Sequence, residues 1–194
     1  MEIAKVASAL IVSTVEYATK FSAILGEVGY EYITQAHSGI EARQLIAEQD
    51  FALMIINAPL VDEYGYDLAI YTAEQTTMSV LMLARADICE AVESKVEDYG
   101  VVVMGKPLSQ EGLFKTLKAL HANHNRMNNI IQSNRRLQDK LEELKLVDRA
   151  KCILIALEGM SEEEAHKYIE KNAMDMRISK KQVAQKIISI KQHD

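Results

Sequence analysis

The sequence predicts an α/β fold, a doubly wound five-stranded parallel sheet, followed by a long coiled-coil helix and a small three-helix bundle. Three observations predict it. Short apolar segments alternate with amphipathic helical segments five times within residues 1–120. Neither proline nor glycine occurs from Leu113 to Glu158, which predicts one unbroken helix. Three amphipathic helices with cap residues follow within 146–190.

The five strand candidates are short, apolar and mostly non-alternating, which is typical of strands buried on both faces. We predict strands at 7–12, 31–36, 51–56, 79–84 and 101–104 and helices at 15–27, 39–48, 66–74, 88–96 and 109–120. In such a sheet, chemistry takes place at the carboxyl ends of the strands. The candidate positions there are Ser13, Thr14, Asn57, Ala84 and Lys106.

Composition and charge restrict the class of protein. The 194 residues carry a net charge of −6, and 48% are hydrophobic, which excludes wholesale disorder. Two cysteines and no apolar run of membrane-spanning length lead us to expect a soluble cytoplasmic protein. Residues 1–120 hold 8 basic and 17 acidic side chains, whereas 121–194 hold 14 and 11. This division favours a basic output end on an acidic carrier, although chance can also produce it.

A heptad pattern in the predicted long helix indicates a parallel, two-stranded coiled coil. Positions a and d are apolar from Met127 onward, apart from Asn134 at a. A buried Asn pairs with its equivalent across a dimer and disfavours higher oligomers. The alternative is that the stripe packs on the chain's own C-terminal part. The predicted dimer contacts are Met127, Ile130, Asn134, Leu137, Leu141 and Leu144.

Cap residues define three helices near the C-terminus. Gly159 ends the first, Ser161 and Glu164 form a capping box that opens the second, and Ser179 and Gln182 form a box that opens the third. The predicted inner faces are Leu146, Ala150, Ile153, Leu154 and Leu157, then Ala165, Tyr168, Ile169, Ala173 and Met176, then Val183, Ile187 and Ile190.

Residues 8–120 resemble a CheY-like receiver domain of response regulators. The matching segments are ALIV followed by ST, then MIINAPL, LMLA and GKP. The resemblance implies an acidic pair that holds Mg²⁺ after the first strand, a phospho-accepting Asp after the third, a hydroxyl after the fourth and a Lys before a proline. This chain has Ser13 and Thr14, Asn57 and Ala84 at the first three sites, and retains only Lys106.

These departures predict a pseudo-receiver without phosphotransfer. An Asn amide is not a nucleophile, and hydroxyls without a carboxylate are poor Mg²⁺ ligands. Asp62 and Glu63 follow Asn57 but do not replace the missing pair. Lys106 then has a structural role, bonded to Asn57 and backbone carbonyls. An alternative is that the emptied site binds another small anion through Lys106.

Residues 146–190 resemble the ANTAR domain of the AmiR/NasR transcription antiterminators. The matching segments are DRAKCILI, GMSEEEAHKYI, NAMDMR and ISKKQVAQKII; Cys152 stands where Gly is common and Ile155 where Met is common. The resemblance implies a protein that binds paired hairpins with hexanucleotide loops in nascent mRNA leaders. Stabilising that RNA fold prevents a terminator from forming.

Recognition of hairpin loops requires cations for phosphates and flat or polarizable groups for bases. The predicted RNA contacts are Arg149, Lys151, Lys167, Lys171, Met174, Arg177, Lys180 and Lys181. Lys180 and Lys181 stand at a helix N-terminus, which itself favours anions. The alternative readings are solvated lysines and, for Met174, ordinary packing between helices.

The sequence therefore divides into a receiver-like domain at 1–120, a coiled-coil linker at 121–145 and an ANTAR domain at 146–194. We expect a dimeric RNA-binding antiterminator that is controlled by a partner protein or by association. The alternatives are a protein-binding signalling adaptor and a DNA-binding response regulator with a helix-turn-helix. No nucleophile–base pair, metal-ligand spacing or phosphate-binding glycine loop is present, so we expect no enzyme activity, cofactor or metal.

Overall fold

The structure, a computed structural model, describes residues 7–191. The N-terminal part is a five-stranded parallel sheet with strand order β2-β1-β3-β4-β5, which confirms the predicted doubly wound fold. Its strands are β1 (Ser8–Val12), β2 (Tyr32–Ala36), β3 (Leu53–Asn57), β4 (Ser79–Arg85) and β5 (Val102–Lys106). The helices are α1 (Val15–Val28), α2 (Gly39–Glu48), α3 (Tyr66–Gln75), α4 (Cys89–Val96), α5 (Gln110–Glu158), α6 (Glu162–Met176) and α7 (Lys180–Lys191).

Both faces of the sheet are buried, which explains why the strands read as continuous apolar runs. Successive side chains of a strand point to opposite faces. Leu10 and Met54 therefore belong to one core, and Ile11 and Ile55 belong to the other. The second core includes Leu113, Leu117 and Leu120 at the start of α5, so this helix is part of the sheet domain before it continues.

The parallel arrangement brings the predicted site positions to one edge of the sheet. Asn57 is the last residue of β3, and Ser13 directly follows β1. Ala84 is the penultimate residue of β4, and Lys106 ends β5 opposite Arg85.

Helix α5 extends well beyond the sheet domain. It contains 49 residues, so the helix predicted at 109–120 continues without a break to Glu158, as the absence of proline and glycine predicts. Gly159 follows it with φ +67°, a left-handed conformation that favours glycine at a helix end. The chain divides into two compact units, residues 1–129 and 130–194, and the division falls within α5.

The unit 130–194 has its own core, and both predicted capping boxes are present in it. Ser161 Oγ accepts a hydrogen bond from Glu164 N, and Glu164 Oε2 accepts one from Ser161 N at 2.8 Å. In the second box, Gln182 N donates to Ser179 Oγ at 3.2 Å, and Ser179 N donates to Gln182 Oε1 at 3.1 Å. The buried core comprises Val147, Ala150, Leu154, Ala165, Ile169, Ala173, Val183, Ala184 and Ile188.

Part of the predicted inner faces was wrong. The inner stripe of α6 is Ala165, Ile169 and Ala173, spaced by four residues. Two alanines in this stripe permit close approach of the neighbouring helices, but a stripe one residue wide leaves its flanks uncovered. Tyr168 and Met176 of α6 were predicted to be buried and are exposed. Leu157, near the end of α5, and Ile190, near the end of α7, were also predicted to be buried and are exposed. Val147, Ala184 and Ile188 occupy the core instead.

No helix within residues 7–191 is long and apolar enough to cross a membrane.

Ile169 and Met174 on the same helix form a matched pair that tests the packing of the second unit. Ile169 is almost fully buried, so Ile169→Ala should reduce the free energy of unfolding by about 2–5 kcal/mol through lost burial and a residual cavity. Met174 is 77% exposed, and Met174→Ala should change it by less than about 0.5 kcal/mol. Urea denaturation followed by circular dichroism measures both, and equal effects of the two substitutions would contradict the placement of α6.

Candidate nucleic-acid interface and receiver-like site

The receiver-like site satisfies its polar groups internally. Asn57 Nδ2 donates a hydrogen bond to Ser13 Oγ at 2.8 Å, and Ser13 is buried. Lys106 Nζ donates to the carbonyl oxygen of Ala58 at 2.6 Å, so its observed partner is a backbone carbonyl and not the Asn57 side chain. Burial lowers the pKa of Lys106. Thr14 is exposed and Ala84 is fully buried. By residue type, Ala84 supplies no hydroxyl and Thr14 supplies no carboxylate.

The two carboxylates that follow Asn57 are bound to helix α2. Asp62 accepts hydrogen bonds from the backbone N–H groups of Gly39 at 2.9 Å and Ile40 at 3.0 Å, which lower the pKa of Asp62. Glu63 forms a two-fold hydrogen-bonded ion pair with Arg43, at 2.5 and 3.0 Å. Both carboxylates are therefore bound by groups of α2 in this structure. Among the residues the structure describes, no cluster of His, Cys, Asp or Glu has the arrangement of a metal site.

The predicted coiled-coil stripe is exposed along α5. Its five apolar members are between 47% and 59% exposed, and Asn134 is exposed as well. Within the unit 130–194, helices α6 and α7 leave Leu137, Leu141 and Leu144 uncovered. The alternative in which this stripe packs on the chain's own C-terminal helices is therefore wrong for these residues.

Lys151 joins α5 to the start of α6. Its Nζ lies 2.9 Å from Asp148 Oδ1 and 3.3 Å from Glu162 Oε1. The two hydrogen bonds raise the pKa of Lys151, with Asp148 making the larger contribution. The side chain is only 16% exposed, so this predicted RNA contact also connects the two helices.

Two further predicted contacts, Lys167 and Lys181, are also paired with carboxylates. Lys167 Nζ lies 2.6 Å from Glu163 on the same helix. Lys181 Nζ lies 2.7 Å from Glu142 on α5, and this hydrogen bond raises the pKa of Lys181.

Lys180, in the first turn of α7, pairs with Glu170 of α6. Glu170 also lies 3.3 Å from His166 Nε2. The hydrogen bond from Lys180 lowers the pKa of Glu170.

The remaining predicted contacts have no such partner. Arg149, Lys171 and Arg177 are exposed and form no ion pair with any described residue. Arg177 caps α6 in the left-handed region at φ +53°, and its N–H bonds to the end of the helix. Met174 presents a polarizable, apolar side chain to solvent.

Sequence reasoning missed two features of this surface. Tyr168 was placed in the core but is exposed, and its ring adds a flat group on the same helix as Lys171. The second missed feature is that several of the lysines form ion pairs. The pair between Glu163 and Lys167 has a signal in the sequence, because residues four apart on a helix are neighbours. The partners of Lys180 and Lys181, by contrast, are 10 and 39 residues away and have no local signal.

The second unit of the chain is similar to a known protein family. Residues 135–188 match the family model of the ANTAR domain. The chain is 29% identical over 167 residues to the transcriptional regulatory protein PdtaR of Mycobacterium tuberculosis, which covers 85% of this chain and 80% of that protein. It is 38% identical over 55 residues to the nitrate regulatory protein of Klebsiella oxytoca, which covers 28% of this chain and 14% of that protein.

A solved structure supports the fold of the first unit. The signal receiver domain of an HD domain-containing protein from Pseudomonas fluorescens Pf-5 superposes with a TM-score of 0.56. The match covers 66% of this chain and 98% of that domain at 19% identity, so it shows the receiver fold alone.

Proposed function

We propose that this chain, which carries an ANTAR domain at residues 135–188 behind a domain with the receiver fold, is a cytoplasmic RNA-binding antitermination regulator. Its RNA-binding surface comprises Arg149, Lys151, Lys167, Lys171, Met174, Arg177, Lys180 and Lys181. The observation that carries the proposal is the exposure of Arg149, Lys171 and Arg177 on the ANTAR domain without ion-pair partners in the described structure.

The chemistry of these residues suits a hairpin loop. Guanidinium and ammonium groups bind phosphate oxygens, and affinity follows from release of the counterions that the phosphates hold. A loop also displays unstacked bases, which stack on flat or polarizable side chains. Met174 and Tyr168 are exposed on the helix that carries Lys171 and offer such contacts. We propose hairpins in nascent mRNA leaders as the target, so that binding keeps a terminator from forming.

The exposed stripe of α5 supports a parallel homodimer. Five apolar side chains at a and d positions face solvent, and a second copy of the same stripe is the surface that matches them in length and spacing. In register, the two Asn134 side chains meet and hydrogen-bond to one another. Such a dimer presents two ANTAR domains together, which suits an RNA with two hairpins.

The receiver-like domain acts in this proposal without phosphorylation. Its acceptor position, Asn57, is bonded to Ser13, and the nearby carboxylates Asp62 and Glu63 are bound to α2. Control then comes from a regulatory protein partner or from association of the chain. The same exposed stripe also suits a protein-binding adaptor that does not bind RNA, and salt-dependent RNA binding distinguishes the two functions.

Substitution of two unpaired cations tests the RNA-binding surface. Lys171→Ala combined with Arg177→Asn should weaken binding to an RNA with two six-nucleotide hairpin loops by about tenfold, since each change removes a charged hydrogen bond. Asn is chosen because it tolerates the left-handed backbone at 177. The slope of log K against log salt should become shallower by about 0.7 per lost phosphate contact.

Filter binding across a salt series measures both quantities. Lys118→Ala is the control, because it removes an exposed cation that has no ion pair among the described residues from residues 1–129, and it should leave affinity and slope unchanged. Unchanged affinity and slope in the double variant would remove the proposed surface.

A charge in the α5 stripe tests the dimer. Leu141 is exposed in the single chain, so Leu141→Glu should leave the fold intact but place like charges opposite each other at an a position. Sedimentation equilibrium should change from dimer to monomer. Gln132→Glu adds the same charge at the outermost heptad position and should leave the dimer intact. A dimer that persists in Leu141→Glu would contradict the proposed interface.

Treatment with acetyl phosphate and Mg²⁺ tests the loss of phosphotransfer. Intact-mass spectrometry should show no added phosphoryl group on the wild type, because Asn57 offers no nucleophilic oxygen. Asn57→Asp alone should also remain unmodified, since Ser13 and Thr14 supply no carboxylate for Mg²⁺. A phosphoryl group on residues 1–129 of the wild type would overturn this part of the proposal.

A further inference from the structure

The ANTAR unit is nearly neutral although it has many cations. Residues 130–194 hold 13 Lys+Arg and 11 Asp+Glu. Four of the proposed RNA contacts lie against carboxylates of the same unit: Lys151 against Asp148 and Glu162, Lys167 against Glu163, Lys180 against Glu170 and Lys181 against Glu142. We call these five acidic residues the facing carboxylates. The number of ammonium groups that are free to bind an approaching RNA therefore depends on which of these pairs open.

A phosphate and a facing carboxylate compete for the same N–H donors. Carboxylate and phosphate oxygens bind an ammonium group at the same distance and with the same charge-assisted geometry. The side chains of Lys167, Lys180 and Lys181 are at least 31% exposed, so their pairs are weak and an RNA phosphate can displace them. Lys151 is less accessible, with 16% of its side chain exposed. Displacement leaves a carboxylate beside the RNA backbone, and the net gain from that cation is smaller than the gain from an unpaired one.

We infer that the facing carboxylates, and Glu170 foremost, are specificity-determining residues that act as internal competitors for RNA phosphates. The inference rests on the proposed function. A polyanion that meets only the paired lysines gains little, because every contact first breaks an ion pair. An RNA that also engages Arg149, Lys171 and Arg177 gains contacts without this loss, so the carboxylates select for RNA that fits the whole surface.

Glu170 is the most informative of the facing carboxylates. The pair between Glu163 and Lys167 lies within one helix turn, where it also supports the helix itself. Glu170 instead reaches from α6 to Lys180 in the first turn of α7. Its other neighbour is His166, four residues earlier on α6. Both partners of the Glu170–Lys180 pair are 41% exposed, so an RNA phosphate has access to Lys180 once the pair opens.

The test compares Glu170→Gln with Asp175→Asn in the full chain. Gln keeps the shape of the side chain and removes its charge. Glu170→Gln should tighten binding to the two-hairpin RNA by about 2- to 5-fold and steepen the salt dependence by up to about 0.7. Binding to polyuridylate should tighten more, so discrimination between the two RNAs should fall. Asp175→Asn removes one charge from the same helix, where it has no ion pair within the described residues, and should have a smaller effect.

The same substitution in a Lys180→Met variant separates competition for Lys180 from a general effect of charge. In Lys180→Met, the further change Glu170→Gln should no longer tighten RNA binding, because the cation that it releases is absent. Circular dichroism establishes that each variant is folded.

Each outcome decides between the proposals. Three outcomes would overturn the inference and leave the proposed function standing. They are equal tightening of RNA binding by Asp175→Asn, unchanged or weaker binding by folded Glu170→Gln, and full tightening by Glu170→Gln in the Lys180→Met background. A wild-type chain that binds neither RNA would overturn the proposed function and the inference with it.

Discussion

The structure depends on one continuous helix that contributes to two separate cores. Helix α5 places Leu113, Leu117 and Leu120 in a core of the sheet domain and Val147, Ala150 and Leu154 in the core of the ANTAR unit. Within its described residues, 130–191, the small unit has two other helices, so it depends on the last turns of α5 for a buried face. The absence of glycine and proline over 46 positions makes this sharing feasible, since either residue would weaken or break the helix.

The receiver-like domain retains the architecture of its fold while its polar groups serve structural roles. Asn57 bonds to Ser13, Lys106 bonds to a backbone carbonyl, and Asp62 and Glu63 fix the loop after β3 to α2. Each of these groups therefore has a hydrogen-bond partner within the domain.

The ANTAR unit shows why a list of cations does not define an RNA-binding surface. Eight residues of this unit were predicted to contact RNA. The structure divides the cations among them by whether they form an ion pair. Arg149, Lys171 and Arg177 are exposed without ion pairs in the described structure, whereas Lys151, Lys167, Lys180 and Lys181 face carboxylates. In the proposed RNA complex, the first group would attract phosphates directly, and the second would do so only after a carboxylate is displaced.

The sequence by itself determined the features that arise from local physics. Alternating strands and helices predicted the parallel sheet, cap residues located the starts of α6 and α7, and the missing glycine and proline predicted the length of α5. Each of these signals is present in the order of residues along the chain and does not require contacts between distant residues. Only the tertiary structure decided that Tyr168 and Met176 are exposed, that Lys151 ties α5 to α6, and that Lys181 faces Glu142, 39 residues away. These features depend on how the helices cross, and helical periodicity defines a face without defining how much of it a neighbour covers.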